Sequence, residues 1–373
     1  MVGRAEMILD IRYLFLRLGQ ALLVLLLAFT AAFILLSLIP GDGVTARFAD
    51  PALGLSPDQI AQIRTETGAD ESWISRYFLS LGGFLTGDFG FSVQTGSAVS
   101  TIIAAALPST AVLALSGFVS ALVLAVVIAV LATYGPFAWL RKLLDSVPSL
   151  FISIPVFWLG ILLIQIFSFQ LGFVSVVSPG PAEALVLPTL TVAVPLSAPI
   201  AQVLIRSITD VRASGFVKVT SAKGASELWI LVHTVARNAV LPGLTIIGLV
   251  FGELVAGAVV TETVFGRNGI GQITAQAVTH RDNPILLAVV VIATLAYVII
   301  NLIVDLLYPV IDVRLRTAPG TASAGKKQAD EHTRRALSTT AASVGVDLDW
   351  DESHESPGAP ETPGASTMKG RDS

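Results

Sequence analysis

Several short stretches of this sequence contain fragments of catalytic or nucleotide-binding motifs, but each lacks something that its chemistry requires. Residues 320–327 nearly spell a phosphate-binding loop, yet that motif needs Ser or Thr at its last position for Mg²⁺ and a strand before it. Gly266, Gly269 and Gly271 fall between two long apolar runs, where a tight turn explains them better than a dinucleotide-binding fingerprint. Residues 224–226 share a fragment with serine hydrolases, without a histidine placed to activate the serine. The sequence therefore predicts no catalytic residue and no cofactor bound by this chain.

Cysteine is absent from this chain and histidine is rare. There is no cysteine, which excludes disulfide bonds and thiolate catalysis. The histidines lack the spacing of metal ligands and are scattered at His233, His280, His332 and His354. We therefore expect no metal site.

Three carboxylates lie within or near long apolar runs, where a charge is costly. At mid-bilayer depth a charged side chain costs about 2.5–3.5 kcal/mol on insertion scales, and it persists only with a partner or water. Glu253 lies deepest, so it could line a polar path or carry a proton. Glu262 and Asp305 lie closer to the ends of their runs and could be satisfied by structural partners. Glu253 is therefore the candidate residue of a translocation path.

The elements that must position these residues are membrane-spanning helices. The chain is 53% hydrophobic and 13% charged, whereas soluble domains average about 45–50% and about 25%. Runs of about 20 apolar residues suffice to cross the hydrocarbon core, and such runs occur at about 14–39, 103–133, 143–170, 184–208, 239–265 and 284–311. Lipid forces backbone groups to pair within each segment, and the runs lack the alternation of barrel strands. The predicted fold is an all-α polytopic membrane protein with six transmembrane helices.

The apolar runs divide the chain into three parts, the second of which contains two long segments between runs. Residues 1–13 form an N-terminal arm, and 14–316 form the transmembrane domain. Within that domain, residues 40–102 follow the first run, and we call them the 40–102 segment. Residues 209–238 form a long basic insert between the fourth and fifth runs, which we call the 209–238 segment. Residues 317–373 are rich in Ser, Thr, Gly, Pro and charges, and this composition predicts a disordered tail.

The distribution of Lys and Arg predicts the orientation of the chain. Short loops on the cytoplasmic side of membrane proteins carry an excess of these residues. If the chain crosses six times, one side holds most of the basic residues near the run ends: Arg4, Arg12, Arg17, Arg141, Lys142, Arg206, Arg212, Lys218, Lys223, Arg237, Arg314 and Arg316. Both termini and the 209–238 segment are therefore predicted to be cytoplasmic, and the 40–102 segment external.

The 40–102 segment carries signals of two helices. Ser56, Pro57 and Gln59 provide a hydroxyl cap, a proline at the first helical position and a capping box. A second helix is predicted from an aromatic face suited to the membrane interface, formed by Trp73, Ile74, Tyr77, Phe78 and Leu81. A small lid packed on the spans and a platform for an external partner both fit this pattern.

The 209–238 segment is long enough for two short helices around Gly224. Ser226 can cap the second helix, and Glu227 lies where it meets the positive helix end. One face of that helix is predicted to hold Leu228, Leu231, Val232 and Val235. Such a helix could lie flat on the membrane surface or enter a groove in a soluble protein.

Two further patterns concern the spans. Gly248, Gly252 and Ala256 recur at four-residue intervals, which fits either helix packing or a tight crossing near a pore. Prolines inside the third and fourth runs remove backbone donors and predict kinks at Pro148, Pro155, Pro188, Pro195 and Pro199.

The order of several motifs resembles the permease subunits of binding-protein-dependent ABC importers, and most closely the dipeptide/oligopeptide/nickel branch. The similarity covers roughly residues 10–316, and the long 40–102 segment is similar to that of the first of the two permease subunits in this family. The matching motifs are 39–42, 87–90 with Ser92, 153–160, 221–224, His233, 237–239, Leu241, Pro242, 262–265, 269–271, Asn301 and 305–308.

This resemblance implies a transport subunit and no enzyme. Two permeases, here a heterodimer, would form the pore in a bacterial or archaeal plasma membrane, two ATPase subunits would bind ATP and Mg²⁺, and an external binding protein would deliver substrate. No nucleic acid is implied as a partner. The coupling helix would comprise Ser221, Ala222, Lys223, Gly224, Ala225, Ser226, Glu227, Leu228 and Trp229.

The substrate implied is a di- or oligopeptide, with nickel or another small solute such as glutathione as the alternative. Two other classes of protein stay open from the residues alone. A secondary transporter would use Glu253 or Asp305 for ion coupling and would work after ATP depletion. An intramembrane enzyme would be active as a lone purified chain.

Overall fold

The computed structural model describes residues 11–39, 47–48, 54–66, 71–176, 179–180 and 182–311. All of them belong to one compact unit, Met1–Asp312. The predictions for residues 1–10, for the tail at 317–373 and for the side chain of Asp305 lie outside what the structure describes. Apart from one isolated bridge between Phe91 and Ala98, every regular element in the described ranges is a helix.

The helices follow one another along the chain with short connections. In order they are α1 (Ile11–Leu38), α2 (Pro57–Glu66), α3 (Trp73–Thr86), α4 (Val99–Tyr134), α5 (Ala138–Ser153), α6 (Val156–Leu163, continued by a π-helical turn Ile164–Gln170), α7 (Glu183–Ala213), α8 (Gly215–Ala222), α9 (Glu227–Trp229, continued by a π-helical turn Ile230–Val235), α10 (Ala236–Val264), α11 (Ile270–His280) and α12 (Asn283–Ile311).

Five helices of the described residues are long and apolar enough to cross a membrane, namely α1, α4, α7, α10 and α12. The third predicted run is not one straight helix, because α5 and α6 meet at an angle of 105°. Pro155 explains the break, since it lacks a backbone donor and disfavours helical geometry at the preceding Ile154, which is extended. Pro148, Pro188, Pro195 and Pro199 lie inside helices instead.

Counted as one span, the bent pair α5–α6 is a sixth crossing in the described part of the chain. At its start, Arg141 donates to the carbonyl of Gly135, just after the end of α4. Beyond its end, Val174 and Ser175 line a cleft with Arg267 and the first turn of α7. Gly135 follows α4 and Arg267 follows α10, and these two helices end at opposite ends of the bundle. The bent pair therefore joins the two ends.

Helix α7 lies at the centre of the bundle and packs most extensively on α4 and then on α10. The close approach to α4 depends on small residues at four-residue spacing, Gly117, Ala121, Ala125 and Ala129, all of which are buried. A Cβ atom added at Gly117 would lie 3.0 Å from Cγ1 of Val192 on α7. Helix α1 lies at the periphery, where it contacts α12 and α3.

The predicted helices of the 40–102 segment are present, but the predicted single face of α3 is wrong. The capping box at Ser56 and Gln59 has formed, with both reciprocal hydrogen bonds at 2.8 and 3.3 Å. On α3, Tyr77 packs against Phe33 of α1, whereas Phe78 and Ile74 are exposed. Four-residue spacing separates the two sets, because it places residues 73, 77 and 81 on one stripe and residues 74 and 78 on the next.

The bundle has two ends, which we name after a glycine at each. The Gly224 end holds the end of α4, the end of α7, α8 and α9. The Gly271 end holds the end of α1, α3, the start of α4, the start of α7, α11 and the start of α12. The 209–238 segment thus lies at the opposite end from α3 of the 40–102 segment.

Candidate functional site

The residues predicted for coupling lie together on the surface of the Gly224 end. Helix α8 ends at Ala222, and Gly224 has a left-handed backbone with φ of 88°, which a glycine adopts without steric cost. Ser226 caps α9 by accepting a hydrogen bond from the backbone N–H of Trp229 at 3.3 Å. The side chains are exposed throughout the set except at Ala225, which is half-buried. The predicted turn and cap are confirmed in their geometry.

The inner face of this surface is anchored in the main core. Val217 of α8, with Ile230 and Val235 of the π-helical turn, are buried with Leu204 and Ile208 of α7. Burial of each such side chain contributes about 1.5–3 kcal/mol. The surface is therefore attached to α7 through packed side chains, so a displacement of one requires displacement of the other.

The outer face of the same surface is apolar. Leu228 is 71% exposed, Trp229 46% and Val232 55%, and the rings of Trp229 and His233 stack with centroids 4.8 Å apart. We call Leu228, Trp229 and Val232 the outer apolar patch. The prediction that Leu228, Leu231, Val232 and Val235 share one face is wrong. The π-helical turn at Ile230–Val235 widens the helical repeat, so Val235 points into the core while Leu228 and Val232 point outward.

A polar cleft of about 450 Å³ separates α8 and α9 from the ends of α4 and α7. Arg212 of α7 lies in it and contacts three elements: it donates to the carbonyl of Thr133 at 2.5 Å, lies 4.0 Å from the ring centre of Tyr134, and reaches the carboxylate of Glu227 at 3.8 Å. The buried hydroxyl of Tyr134 has no hydrogen-bond partner among the described residues. One arginine thus connects the ends of α4 and α7 with α9.

Glu253 lies elsewhere, within the span of α10. It is 17 residues beyond Ala236, about 25 Å along the helix from the Gly224 end. The structure therefore does not bring it together with the coupling residues. Its side chain is exposed on a face of α10 that includes Thr245, Leu249, Gly252 and Ala256. Gly248 is buried, and an added Cβ atom there would lie 2.8 Å from Oδ1 of Asn301 on α12.

The exposed face of α4 differs from that of α10 in chemistry. Along its middle it carries a row of exposed aliphatic side chains, Val112, Leu115, Val119, Val123 and Val127. A face of this kind is compatible with lipid tails. The α10 face carries a carboxylate, a hydroxyl, a glycine and an alanine beside Leu249, and a carboxylate in lipid is costly.

Glu262 at the Gly271 end is fully buried and satisfied within the chain. Its carboxylate accepts hydrogen bonds from the Thr110 hydroxyl at 2.6 Å and from the Gly271 backbone at 2.7 Å. A Cβ atom at Gly269 would lie 2.2 Å from that carboxylate, and one at Gly271 would lie 2.4 Å from the backbone of Val259. Gly269 and Gly271 are therefore required because other atoms of the chain approach them too closely for a Cβ atom. The tight turn predicted for Gly266, Gly269 and Gly271 is found at Gly266, with φ of 62°.

A second buried carboxylate ties the end of the 40–102 segment to the corner between α11 and α12. Asp282 accepts hydrogen bonds from the hydroxyl of Ser92 at 2.5 Å and from the backbone of Val93 and Gln94 at 3.3 and 3.2 Å. It is 1% exposed. The loop that follows α3 is thus held against the bundle.

Sequence reasoning missed several residues that the fold brings together. Asp282 and Thr110 lie in no motif that indicates a buried network, and Arg212 was recognised only as a basic residue. The stripe of Gly117, Ala121, Ala125 and Ala129 was readable from its four-residue spacing but was overlooked.

Comparisons with known proteins identify the family of the chain. The model of the family described as "Binding-protein-dependent transport system inner membrane component" matches residues 121–317. The "Probable peptide ABC transporter permease protein y4tP" of Sinorhizobium fredii is 34% identical over 312 residues, covering 82% of this chain and 99% of that protein. The "Glutathione transport system permease protein GsiC" of Escherichia coli K12 is 31% identical over 289 residues, covering 76% of this chain and 92% of that protein.

Among solved structures, this chain is similar to one titled "Inward facing conformations of the MetNI methionine ABC transporter", with a TM-score of 0.48 and 17% sequence identity over 57% of this chain and 96% of that one. The family match covers more than half of the chain, and the identity to y4tP extends over nearly all of that relative. The protein therefore belongs to the binding-protein-dependent transport system inner membrane components, the permease subunits of ABC importers, in which ATP is bound by separate ATPase subunits.

Proposed function

We propose that this chain forms half of the translocation pore of an ATP-driven peptide importer and receives the force of ATP hydrolysis at the 209–238 segment. The observation that carries the proposal is the outer apolar patch. Leu228, Trp229 and Val232 are exposed on a segment whose inner face is anchored by Val217 and Ile230. A contiguous exposed apolar patch on a rigidly held element is typical of a docking site for another protein.

The proposed orientation places the Gly224 end in the cytoplasm, together with both termini. Arg141, Arg212, Lys218 and Lys223 belong to this end, as the excess of basic residues on the cytoplasmic side requires. The ATPase subunits are cytoplasmic in this arrangement, and the 40–102 segment faces the binding protein.

Displacement of α9 by an ATPase would reach the spans by two routes. One is the packing of Ile230 and Val235 against α7. The other is Arg212, which joins Glu227 to the ends of α7 and α4. Because α4 and α7 form the largest helix contact of the bundle, they move together. A ligand changes the state of the pore only through contacts that differ between the two states, and these two routes would provide such contacts.

The proposed translocation path runs along the exposed face of α10, between this chain and a second, different permease subunit. Glu253 on that face needs water or a polar partner at its depth in the membrane. Gly252 and Ala256 on either side leave room beside it, since no atom lies within 4 Å of a Cβ built at Gly252. We therefore place Glu253 in the path.

A peptide substrate is proposed from the relatives. One relative is named for peptide transport and the other for glutathione, itself a tripeptide. Binding of a panel of di- and oligopeptides, glutathione and Ni²⁺ to the binding protein that delivers substrate to this permease tests the proposal. Tight binding of peptides supports it, and binding of Ni²⁺ with no peptide binding contradicts it.

The docking proposal is tested with Leu228→Glu, which places a charge in the outer apolar patch. We expect the ATPase subunits to be lost from the purified complex and ATP-driven uptake to fall at least tenfold. Leu228→Met is the matched control, because it keeps an apolar side chain of similar volume. Retention of the ATPases and of uptake in Leu228→Glu would contradict docking at this patch.

The path proposal is tested with a cysteine one turn from Glu253. The chain has no cysteine, so a thiol introduced by Ala256→Cys is unique within it. We expect this thiol to react with a water-soluble charged thiol reagent, since thiolates form in water. Val123→Cys, on the aliphatic face of α4, is the control and should stay unreactive. An unreactive thiol at residue 256 in the assembled, transporting complex would contradict a water-filled path there.

A further inference from the structure

Helix α3 has two faces, and the exposed one is unexpectedly apolar for a helix outside the spans. Its inner face packs on α1: the Tyr77 ring lies 5.3 Å from that of Phe33, and the Phe84 ring lies 5.1 Å from that of Phe29. The outer face leaves Ile74, Phe78 and Leu85 exposed by 54%, 65% and 82%. Water alone is a poor solvent for such a surface.

The contacts with α1 set the depth of α3 in the membrane. Phe33 precedes Leu38, the last residue of the span of α1, by five positions, which is about 7 Å along the helix axis. Phe29 is about 13 Å from the same point. The hydroxyl of Tyr77 also meets the Thr30 hydroxyl at 2.8 Å. Helix α3 therefore lies beside the apolar part of α1, below the level at which the span ends.

The exposed surface of α3 consists of two stripes of residues that run along the helix. Ile74, Phe78 and Leu85 recur at four and seven residues and form one stripe, which is apolar. Ser75, Leu79, Gly82 and Thr86 form the adjacent stripe, which combines small or polar residues with Leu79, itself 63% exposed. Helices at the membrane interface combine a wholly apolar stripe, which can meet acyl chains, with a flank that includes polar residues.

We propose that α3 is an interfacial helix embedded in the lipid leaflet at the Gly271 end, with the Ile74–Phe78–Leu85 stripe against acyl chains. The occupant is lipid, because α3 packs on the membrane span of α1, whose own exposed side chains include Leu35 and Leu38 at 64% and 72%. Trp73, 58% exposed at the first turn, has the amphipathic ring typical of the boundary between head groups and tails. Helix α3 thereby holds the loop at Ser92 and the α11–α12 corner at a constant depth relative to the membrane surface.

The experiment uses single cysteines in the full chain, purified with its partner subunits and reconstituted in phospholipid nanodiscs. A nitroxide is attached at Phe78→Cys and, in a second variant, at Leu85→Cys, whose greater exposure tolerates the label best. Collision with molecular oxygen, which concentrates in lipid, is compared with collision with a water-soluble Ni²⁺ chelate. Leu23→Cys on α1 provides the lipid standard, and Ala61→Cys on α2 provides the aqueous one.

We expect both α3 labels to resemble the label at residue 23, with collision by oxygen at least threefold more frequent relative to the chelate than at residue 61. Equal access of the chelate at residues 78 and 61 would overturn the proposal in favour of water. Exclusion of both reagents from residues 78 and 85 would overturn it in favour of a protein partner covering the helix.

Discussion

The two ends of the bundle differ in how far their charged groups are buried and paired. At the Gly271 end, Glu262 and Asp282 are buried and accept hydrogen bonds from groups of this chain alone. At the Gly224 end, Glu227 is 70% exposed, an open polar cleft surrounds Arg212, and Leu228 is 71% exposed. The buried carboxylates of the Gly271 end thus have partners within the chain, whereas the Gly224 end exposes groups that a second protein can satisfy.

This difference indicates where the subunit is rigid and where it is adaptable. Buried carboxylates with full sets of partners are costly to disturb, because a disturbed partner is left buried and unpaired. Exposed ion pairs and exposed apolar side chains carry little stability and are free to form contacts with another protein. We therefore expect substitutions at the Gly271 end to affect folding and substitutions at the Gly224 end to affect assembly and transport.

The largest effect is expected for Glu262→Ala. It removes the acceptor of the Thr110 hydroxyl and the Gly271 backbone, so the free energy of unfolding should fall by about 3–5 kcal/mol. Glu253→Ala is the matched control, since it changes the same residue type on the same helix at an exposed position and should cost less than about 1 kcal/mol. Thermal unfolding of the purified protein in detergent measures both. Equal losses would remove the distinction between the two carboxylates.

A somewhat smaller effect is expected for Asp282→Ala. The substitution leaves the Ser92 hydroxyl and the backbone of Val93 and Gln94 without their acceptor, at a cost of about 2–3 kcal/mol. Amide hydrogen exchange in residues 91–98 should therefore become faster. Asp210→Ala changes an exposed aspartate at the Gly224 end and should leave stability within about 0.5 kcal/mol. Unchanged exchange in Asp282→Ala would show that the loop is held by other contacts.

Substitutions at Gly224 separate the effect of backbone strain from the effect of side-chain contacts. A Cβ atom there would meet no atom of this chain within 4 Å, so a defect that arises within the chain comes from the left-handed backbone, which costs most residues about 1–2 kcal/mol. Asn tolerates this conformation better than β-branched residues. Gly224→Val should therefore abolish uptake while the binding protein still docks, and Gly224→Asn should retain most uptake. Normal uptake in Gly224→Val would contradict the proposed lever.

The smallest effect on stability is expected for Glu227→Gln. Its ion pair with Arg212 is long, at 3.8 Å, and exposed, so its loss should cost no more than about 1 kcal/mol. Arg212→Gln should cost more, because it also removes the hydrogen bond to Thr133 and the contact with the Tyr134 ring. Unfolding midpoints of the two variants test this order. A larger loss for Glu227→Gln would make the ion pair a structural element of the Gly224 end.

Local rules read from the sequence identified most of the helices and several of their caps, although α11 was not among the predicted elements. The apolar runs, the capping box at Ser56, the cap at Ser226 and the glycine turn at Gly224 depend on residues close in the chain, and all are present. The motifs also indicated the family, which the comparisons confirm. The order and spacing of residues contain this information because helix formation and membrane insertion are decided segment by segment.

Only the tertiary structure decided which side chains face one another. It separated the two glutamates of α10, one accepting hydrogen bonds from Thr110 152 residues away and the other exposed. It set the 105° angle of the bend at Pro155, decided which residues of α3 contact α1, and divided the apolar stripe after Leu228 through a π-helical turn. These outcomes depend on helix packing and on the register of contacts between distant segments. Rules based on neighbouring residues carry no information about either.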